Sequence, residues 1–168
     1  ERRAGDILAG VVARPPESPY DTLLLLAGAR DGVARGMEAF GAGGVPLGRV
    51  SFVSNDFSRV TLFSSPGATT AGWVGRERLP ILMKGSGAGA FQASLPRAAG
   101  VAVDDTVFAA GPGMLPVGRV ARIESDPASP SVTLHIISAL NLFSVAWVTL
   151  RDTGGTLEVT MSENLVSP

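Results

Sequence analysis

Short stretches of alternating apolar and polar residues, separated by turn residues, make up most of the chain. Arg59–Phe63 and Val132–Ile136 alternate with a period of two, which is typical of half-buried strands. Ile7–Arg14 and Val145–Leu150 are rich in β-branched and aromatic residues and are also predicted to be strands. No stretch of twelve residues has helical periodicity. The pattern therefore predicts an all-β protein with little helix.

One phrase occurs twice in the sequence. GVPLGRV at Gly44–Val50 returns as GMLPVGRV at Gly113–Val120, and ordered matching blocks extend the similarity over most of the chain. The matched copies begin near Val11 and Ile81. An internal repeat of this size indicates two similar folding units rather than a solenoid. We therefore expect two small, six-stranded-type β-barrels packed together.

The repeat suggests where the units begin and end. We expect a first β-barrel unit over residues 7–78, a second over residues 79–152, and a C-terminal tail over residues 153–168 in which LEVTM could add a strand. A strand exchanged between the two units is compatible with the same sequence. Because a barrel of about 70 residues buries only about 60% of its unfolded surface, we expect the two to form a fixed pair.

The repeated phrase has a physical explanation. Pro46 and Pro116 cannot donate a ladder hydrogen bond, which places them at the start or edge of a strand. Gly48 and Gly118 lie inside predicted strands, where glycine marks a bulge, a bend or a close backbone approach. We predict that Pro-x-Gly-Arg-Val forms the corner at which each strand curls to close its barrel. Further turns are predicted at Gly28 and Gly32 in GARDG, and at Gly100.

Composition narrows the function. The chain has 168 residues, a net charge of −1 and no basic block, which argues against nucleic-acid binding. It has no cysteine, which excludes disulfides and thiol catalysis. Its longest apolar run, Leu23–Ala29, is far shorter than the roughly 20 residues that span a bilayer. Since the sequence does not begin with Met, we expect a fragment whose targeting and anchoring segments lie upstream.

Candidate chemical groups are few. The single histidine, His135, lies on the polar face of a predicted strand with no serine-protease motif around it, so an exposed or cross-strand role is expected. The glycine-rich stretch Lys84–Ala90 lacks phosphate-loop spacing and is predicted to connect the two units. Asp104 and Asp105 form a turn whose carboxylates should point apart. We expect no catalytic residue, cofactor or metal.

Four aromatic side chains leave two interpretations open. In short strands the default place for an aromatic ring is the core, but tryptophan and phenylalanine are also favoured at contact surfaces. The four are Trp73, Phe91, Phe143 and Trp147.

The stretch from Val11 to Gly67 resembles the extracytoplasmic domain of the MreC family of rod shape-determining proteins. The family pattern has an aromatic residue, Gly-x-x-x-Gly-Val and a Gly-x-Val strand followed by Ser-x-Val-x-Leu, and the resemblance implies a further turn at Gly36. The second half is similar through GVAVDDTVFAAGPGMLPVGRVARI and ALNLFSVAWVTL, with Asp104 standing where the family has Gly. The matching positions are Tyr20, Gly28, Gly32, Val33, Gly36, Gly48, Val50, Ser58, Val60 and Leu62.

The resemblance implies two β-barrels and no catalysis. It implies a scaffold of the cell-wall elongation machinery that maintains cell shape, self-associates, and contacts a class B penicillin-binding protein together with MreD and MreB. It also implies a periplasmic or extracytoplasmic location at the inner membrane, with the anchor and the MreB contact in missing N-terminal segments. Two alternatives remain: a hydrolase with the chymotrypsin-like two-barrel architecture, although no triad is visible, and a small-ligand-binding β module. Partner-binding residues are not predicted.

Overall fold

The computed structural model describes residues 5–18, 20–109 and 115–154. Strand is the main secondary structure, and the only helices among these residues are four three-residue 3₁₀ turns. The twelve strands are β1 (Ile7–Ala13), β2 (Thr22–Leu25), β3 (Glu38–Phe40), β4 (Pro46–Val53), β5 (Ser58–Leu62), β6 (Thr69–Val74), β7 (Leu79–Gly87), β8 (Ala90–Pro96), β9 (Thr106–Ala109), β10 (Pro116–Ser125), β11 (Ser131–Ser138) and β12 (Trp147–Arg151). The all-β prediction is confirmed.

The strands form two closed antiparallel barrels of six strands each. The first barrel has the order β1-β12-β3-β4-β5-β2, and the second has the order β10-β11-β8-β7-β6-β9. The two orders become identical when β1 to β5 are matched with β7 to β11 and β12 is matched with β6. The sequence repeat is therefore a repeat of topology as well.

Each repeat gives its sixth strand to the other barrel. β6 follows β5 along the chain but pairs with β7 and β9, while β12 follows β11 but pairs with β1 and β3. β6 lies within residues 7–78 but belongs to the second barrel, and β12 lies within residues 79–152 but belongs to the first. Because each barrel is completed by the other repeat, covalent connections cross between the barrels twice.

The Pro-x-Gly-Arg-Val phrases occupy equivalent bulges. β4 starts at Pro46 and β10 starts at Pro116, and in both strands the residue between the proline and the glycine is left out of the pairing register. A Cβ atom at Gly48 would lie 2.2 Å from the carbonyl oxygen of Thr61, and one at Gly118 would lie 2.0 Å from that of Ile137. The glycines allow a neighbouring backbone to approach more closely than any side chain would permit.

The other predicted turn glycines also have structural roles. Gly32 and Gly100 have left-handed φ values of 89° and 71° and end 3₁₀ turns, and Gly36 has a φ of 92°. Gly28 has extended backbone, but a Cβ there would lie 2.4 Å from the carbonyl oxygen of Ser54. At Gly28 glycine is therefore required by space rather than by backbone conformation.

Each barrel has its own apolar core. The largest fully buried side chains of the first barrel lie on β2, β4, β5 and β12, and those of the second lie on β6, β7, β9, β10 and β11. Burying one such side chain stabilises the fold by about 1.5–3 kcal/mol. The residues are Leu23, Leu25, Val50, Val60, Leu62 and Leu150 in the first barrel, and Val74, Met83, Val107, Val120, Leu134 and Ile136 in the second.

The prediction that Lys84–Ala90 connects the two units was wrong. Its first four residues end β7, and Ala88 and Gly89 form the hairpin turn to β8 inside the second barrel. The glycines have a packing reason, because a Cβ at Gly85 would lie 2.1 Å from the carbonyl oxygen of Ser65. The segment that connects the barrels passes directly over β7 at this point.

Candidate partner-binding site

A polar cluster joins the two barrels. Asp21, in the loop between β1 and β2, accepts hydrogen bonds from the Ser64 hydroxyl at 2.6 Å and from the Ala88 N–H at 2.9 Å. The Gly89 N–H donates to the Ser64 hydroxyl at 3.0 Å. Asp21 is only 9% exposed, so the loop of the first barrel, the connecting segment and the β7–β8 hairpin of the second barrel are held together by buried hydrogen bonds.

Apolar contacts reinforce this junction. Phe63, just after the last β5 residue of the first barrel, packs against the core of the second barrel. In the other crossing segment, Leu142 is buried in the first core, and its Cδ1 lies 3.1 Å from where a Cβ at Gly89 would stand. These contacts therefore fix the two barrels relative to each other at the junction.

Beside this junction lies a cleft of about 510 Å³ between the barrels. Its first-barrel wall carries Arg35, Glu38 and Arg49, and its second-barrel wall carries residues 69–71 and Ala109. Arg35 and Ala71 are exposed at the cleft, whereas Glu38 is half-buried. The cleft therefore combines an apolar floor with charged and hydroxyl groups, which suits a protruding side chain or segment of a protein partner.

The polar groups of the cleft bond mainly to one another. The Arg49 guanidinium lies 3.7 Å from the Glu38 carboxylate and donates to the Gly36 carbonyl at 3.3 Å. The Thr61 hydroxyl donates to the Ser51 hydroxyl at 2.8 Å. A small-molecule site usually presents a few convergent polar groups to its ligand. Here Arg49, Glu38, Ser51 and Thr61 already have hydrogen-bond or ion-pair partners, which favours contact with a broader protein surface.

The repeated phrase contributes its arginine to the surface in both copies. Arg49 lines the cleft beside Glu38, and Arg119 pairs with Asp104 at 2.9 Å on the second barrel. The prediction from sequence gave the phrase a role as a corner and gave no role to Arg49 or Arg119. Their position one residue after the glycine, on the outward side of a strand, was the signal available.

The hydrogen bonds that the structure describes for His135 join it to charged side chains. Its Nε2 atom is 2.9 Å from the Glu124 carboxylate and 3.3 Å from the Arg122 guanidinium on the outside of the second barrel. The hydrogen bond from His135 and the nearby Arg122 charge lower the pKa of Glu124. This cross-strand arrangement is the role expected for His135, and it lacks the hydroxyl partner that a catalytic triad needs.

The two predicted turn carboxylates do point apart. Asp104 pairs with Arg119, whereas Asp105 accepts a hydrogen bond from the Ala102 N–H at 2.9 Å. In the described ranges, no three acidic or histidine side chains cluster in a way that could hold a metal ion. No helix among the described residues has the length and apolar character that crossing a membrane requires.

The four aromatic residues divide between the two interpretations. Phe91 is buried in the second core and Trp73 is half-buried, whereas Phe143 and Trp147 are 52% and 62% exposed. The exposed tyrosine at position 20 is 90% accessible beside the Asp21 cluster. From residue 155 onward the predicted tail, including LEVTM, lies outside the described residues.

Known proteins share this two-barrel fold. The family model for the rod shape-determining protein MreC, barrel core, matches residues 11–152. MreC from Pseudomonas aeruginosa is similar in fold, with a TM-score of 0.77 at 19% identity over 88% of this chain and 99% of that one. MreC from Listeria monocytogenes gives a TM-score of 0.69 at 20% identity, covering 86% of this chain and 74% of that one.

A third structure is a complex between penicillin-binding protein PBP2 and MreC from Helicobacter pylori. It matches with a TM-score of 0.57 at 11% identity over 86% of this chain and 96% of that one. No curated protein sequence matches the chain. The likeness to these solved structures concerns the fold, and the family match spans both barrels.

Proposed function

The chain belongs to the MreC family of rod shape-determining proteins, and from that membership we propose that it is a non-enzymatic scaffold of the cell-wall elongation machinery. In this role it binds a class B penicillin-binding protein and associates with further copies of itself. The observation that carries the proposal is the family match over residues 11–152, which includes nearly all of both barrels.

The proposal includes a location and further partners. The barrels work on the extracytoplasmic side of the inner membrane, held there by an upstream anchor, and the same upstream segments reach MreB. MreD is the membrane partner. A complex of PBP2 with MreC in another bacterium supports the penicillin-binding protein as the first partner to test.

We place the penicillin-binding protein at the cleft between the barrels. The cleft is concave, has an apolar floor and carries Arg35 at its exposed rim. The buried bonds of Asp21 and the crossing segments fix the two walls relative to each other. A partner that enters such a preformed cleft loses little free energy to ordering of the scaffold.

The experiment measures binding of the chain to the transpeptidase ectodomain of its own organism by biolayer interferometry. We expect micromolar binding that the double variant Arg35→Glu/Ala71→Glu weakens by at least about tenfold, because two further acidic groups then join Glu38 in the cleft. The control is Arg76→Glu/Ser94→Glu, which makes the same charge change at exposed positions elsewhere on the second barrel. If the unsubstituted chain does not bind the transpeptidase ectodomain, the proposed scaffold function is wrong. If both variants weaken binding equally, the cleft is not the binding site.

A further inference from the structure

An uncharged group of exposed apolar residues lies together on the outside of the first barrel. Leu8, Gly10 and Val12 alternate along the outer side of β1. Trp147 of β12 pairs with Gly10, and its ring lies 3.6 Å from where a Cβ at Gly10 would stand. The N–H of Leu26 donates to the Gly10 carbonyl at 2.9 Å from the other side. We call these five residues the apolar face.

The side chains of the apolar face are strongly exposed. Leu8 and Val12 are 46% and 49% exposed, and Leu26 and Trp147 are 59% and 62% exposed. Two other large exposed apolar residues lie beside charged groups: Phe52 lies under the Arg59 guanidinium at 5.7 Å, and Leu82 has Lys84 two positions further along the same face of β7. Contiguous apolar surface of this kind marks contact sites more often than scattered residues do.

The second barrel shows that the fold does not require this apolar face. Followed along the paired strands from the equivalent corners at Gly48 and Gly118, the registers match Leu8 with Pro80, Gly10 with Leu82, Val12 with Lys84, Leu26 with Ser94 and Trp147 with Ala71. All five equivalent positions are exposed, and the second barrel carries Lys84, Ser94 and Ala71 where the first carries Val12, Leu26 and Trp147. Since the two barrels have the same strand order, the apolar residues serve something other than closure of the barrel.

From these observations we propose that the apolar face is the contact through which two copies of this chain associate. The proposal rests on the proposed function, in which copies of the chain associate, and it identifies the surface through which they do so. A face without any charged side chain can meet its own copy about a two-fold axis without like-charge repulsion. The chain's net charge of −1 also opposes association of copies only weakly.

Closure of the barrels excludes the main alternative for self-association. Each of the twelve described strands has a neighbour on both sides, so copies cannot extend one sheet by adding a whole strand at an open edge. Association of copies through the described strands then uses side chains on outer surfaces. A stable dimer usually buries about 800 Å² per partner, which exceeds what four apolar side chains cover, so the contact is weak in solution and favoured at high local concentration.

The test is sedimentation velocity of the chain at concentrations up to about 1 mM, with polar substitutions at the apolar face. The unsubstituted chain should shift towards a dimer as concentration rises. The variant Val12→Ser/Leu26→Gln/Trp147→Thr should stay monomeric, which corresponds to at least about a tenfold weaker association. The control Phe57→Thr/Leu82→Gln/Val103→Ser removes exposed apolar residues elsewhere and should associate like the unsubstituted chain.

A second measurement uses the absence of cysteine from the sequence. Thr149, which pairs with Leu8 at the apolar face, is changed to Cys, and Ala71, an exposed residue of the second barrel that pairs with Leu82, is changed to Cys as the control. Under oxidation, Thr149→Cys should give a disulfide-linked dimer at least several times faster than Ala71→Cys. Equal rates would contradict the proposed contact.

These outcomes separate the inference from the proposed function. A chain that stays monomeric at 1 mM overturns the self-contact, as does equal association of the face variant and its control. If the face variant instead loses binding to the transpeptidase while the unsubstituted chain is monomeric, the apolar face belongs to that partner. The scaffold function would then stand and the self-contact would not.

Discussion

The two barrels share their strand order and their corners but differ on their outer surfaces. Pro46 and Gly48 form the same bulge in the first barrel that Pro116 and Gly118 form in the second. At equivalent outer positions, however, the first barrel carries Trp147 where the second carries Ala71. Closure of a small barrel leaves little freedom at the corner, because a neighbouring backbone occupies the space of a side chain there.

The outer surface has no such constraint, so its differences carry information about contacts. An interior position is determined by packing in both barrels, and an outer position is determined by what the surface meets. The second barrel is therefore an internal control for the first, present in the same molecule. Each prediction below either removes what the barrels share or tests how they differ.

The largest expected effect comes from the exchanged strands. Val148 of β12 is buried in the first barrel and Val74 of β6 is buried in the second. An aspartate at either position places an unpaired charge in a core, which costs several kcal/mol, on the order of the whole stability of a small domain. We expect Val148→Asp to unfold β1 to β5 and Val74→Asp to unfold β7 to β11.

Residue-resolved hydrogen exchange checks this prediction. Protection should be lost first in the barrel that receives the strand, although the substituted residue belongs to the other repeat in sequence. The strand exchange would be contradicted if Val148→Asp removed protection from β7 to β11 and left β1 to β5 protected. Simultaneous loss from both barrels would show that the junction at Asp21 couples them into one cooperative unit.

A smaller but still large effect is expected at the corners. Gly48→Ala and Gly118→Ala would each place a methyl group about 2 Å from a carbonyl oxygen, so the backbone must move. We expect each to lower the free energy of unfolding by about 3–5 kcal/mol, with similar values in the two barrels.

Chemical denaturation of purified protein measures these losses. The control is Gly10→Ala, another strand glycine, whose added methyl group would make an ordinary 3.6 Å contact with Trp147. It should change stability by less than about 1 kcal/mol. Corner variants as stable as this control would show that the bulges are not needed for closure.

The sequence indicated the proline and glycine positions and left a strand exchange open, but it did not identify the exchanged strands or the residues of the cleft. Proline and glycine two positions apart, repeated as Pro46–Gly48 and Pro116–Gly118, indicate their geometry because proline cannot donate a hydrogen bond and glycine has no side chain. β6 and β12 alternate like any other strands, so their sequences do not say which barrel receives them. The cleft depends on that exchange, since it is the exchanged strand β6 that brings Ala71 to face Arg35.

The glycine-rich stretch shows why one interpretation failed. Local composition around Gly85 and Gly87 is typical of a connector, but the reason for glycine there is a distant segment, the Ser64–Ser65 crossing, which touches the β7 backbone. Such a contact is set by tertiary structure. The sequence alone indicates that glycine is needed at these positions. It does not show whether the reason is a flexible loop or the close approach of another backbone segment.

The smallest expected effect lies where the two repeats differ at one turn. Gly36 and Asp104 are equivalent: both are left-handed, with φ values of 92° and 73°, and their N–H groups donate to the Val50 and Val120 carbonyls at 2.8 Å. Asp104→Gly relieves left-handed strain but loses an exposed ion pair with Arg119, so stability should change by less than about 1 kcal/mol. Gly36→Ala introduces the strain without compensation and should cost about 1–2 kcal/mol, measured by thermal and chemical denaturation. A larger loss from Asp104→Gly than from Gly36→Ala would mean that the carboxylate, and not the backbone, holds the second turn.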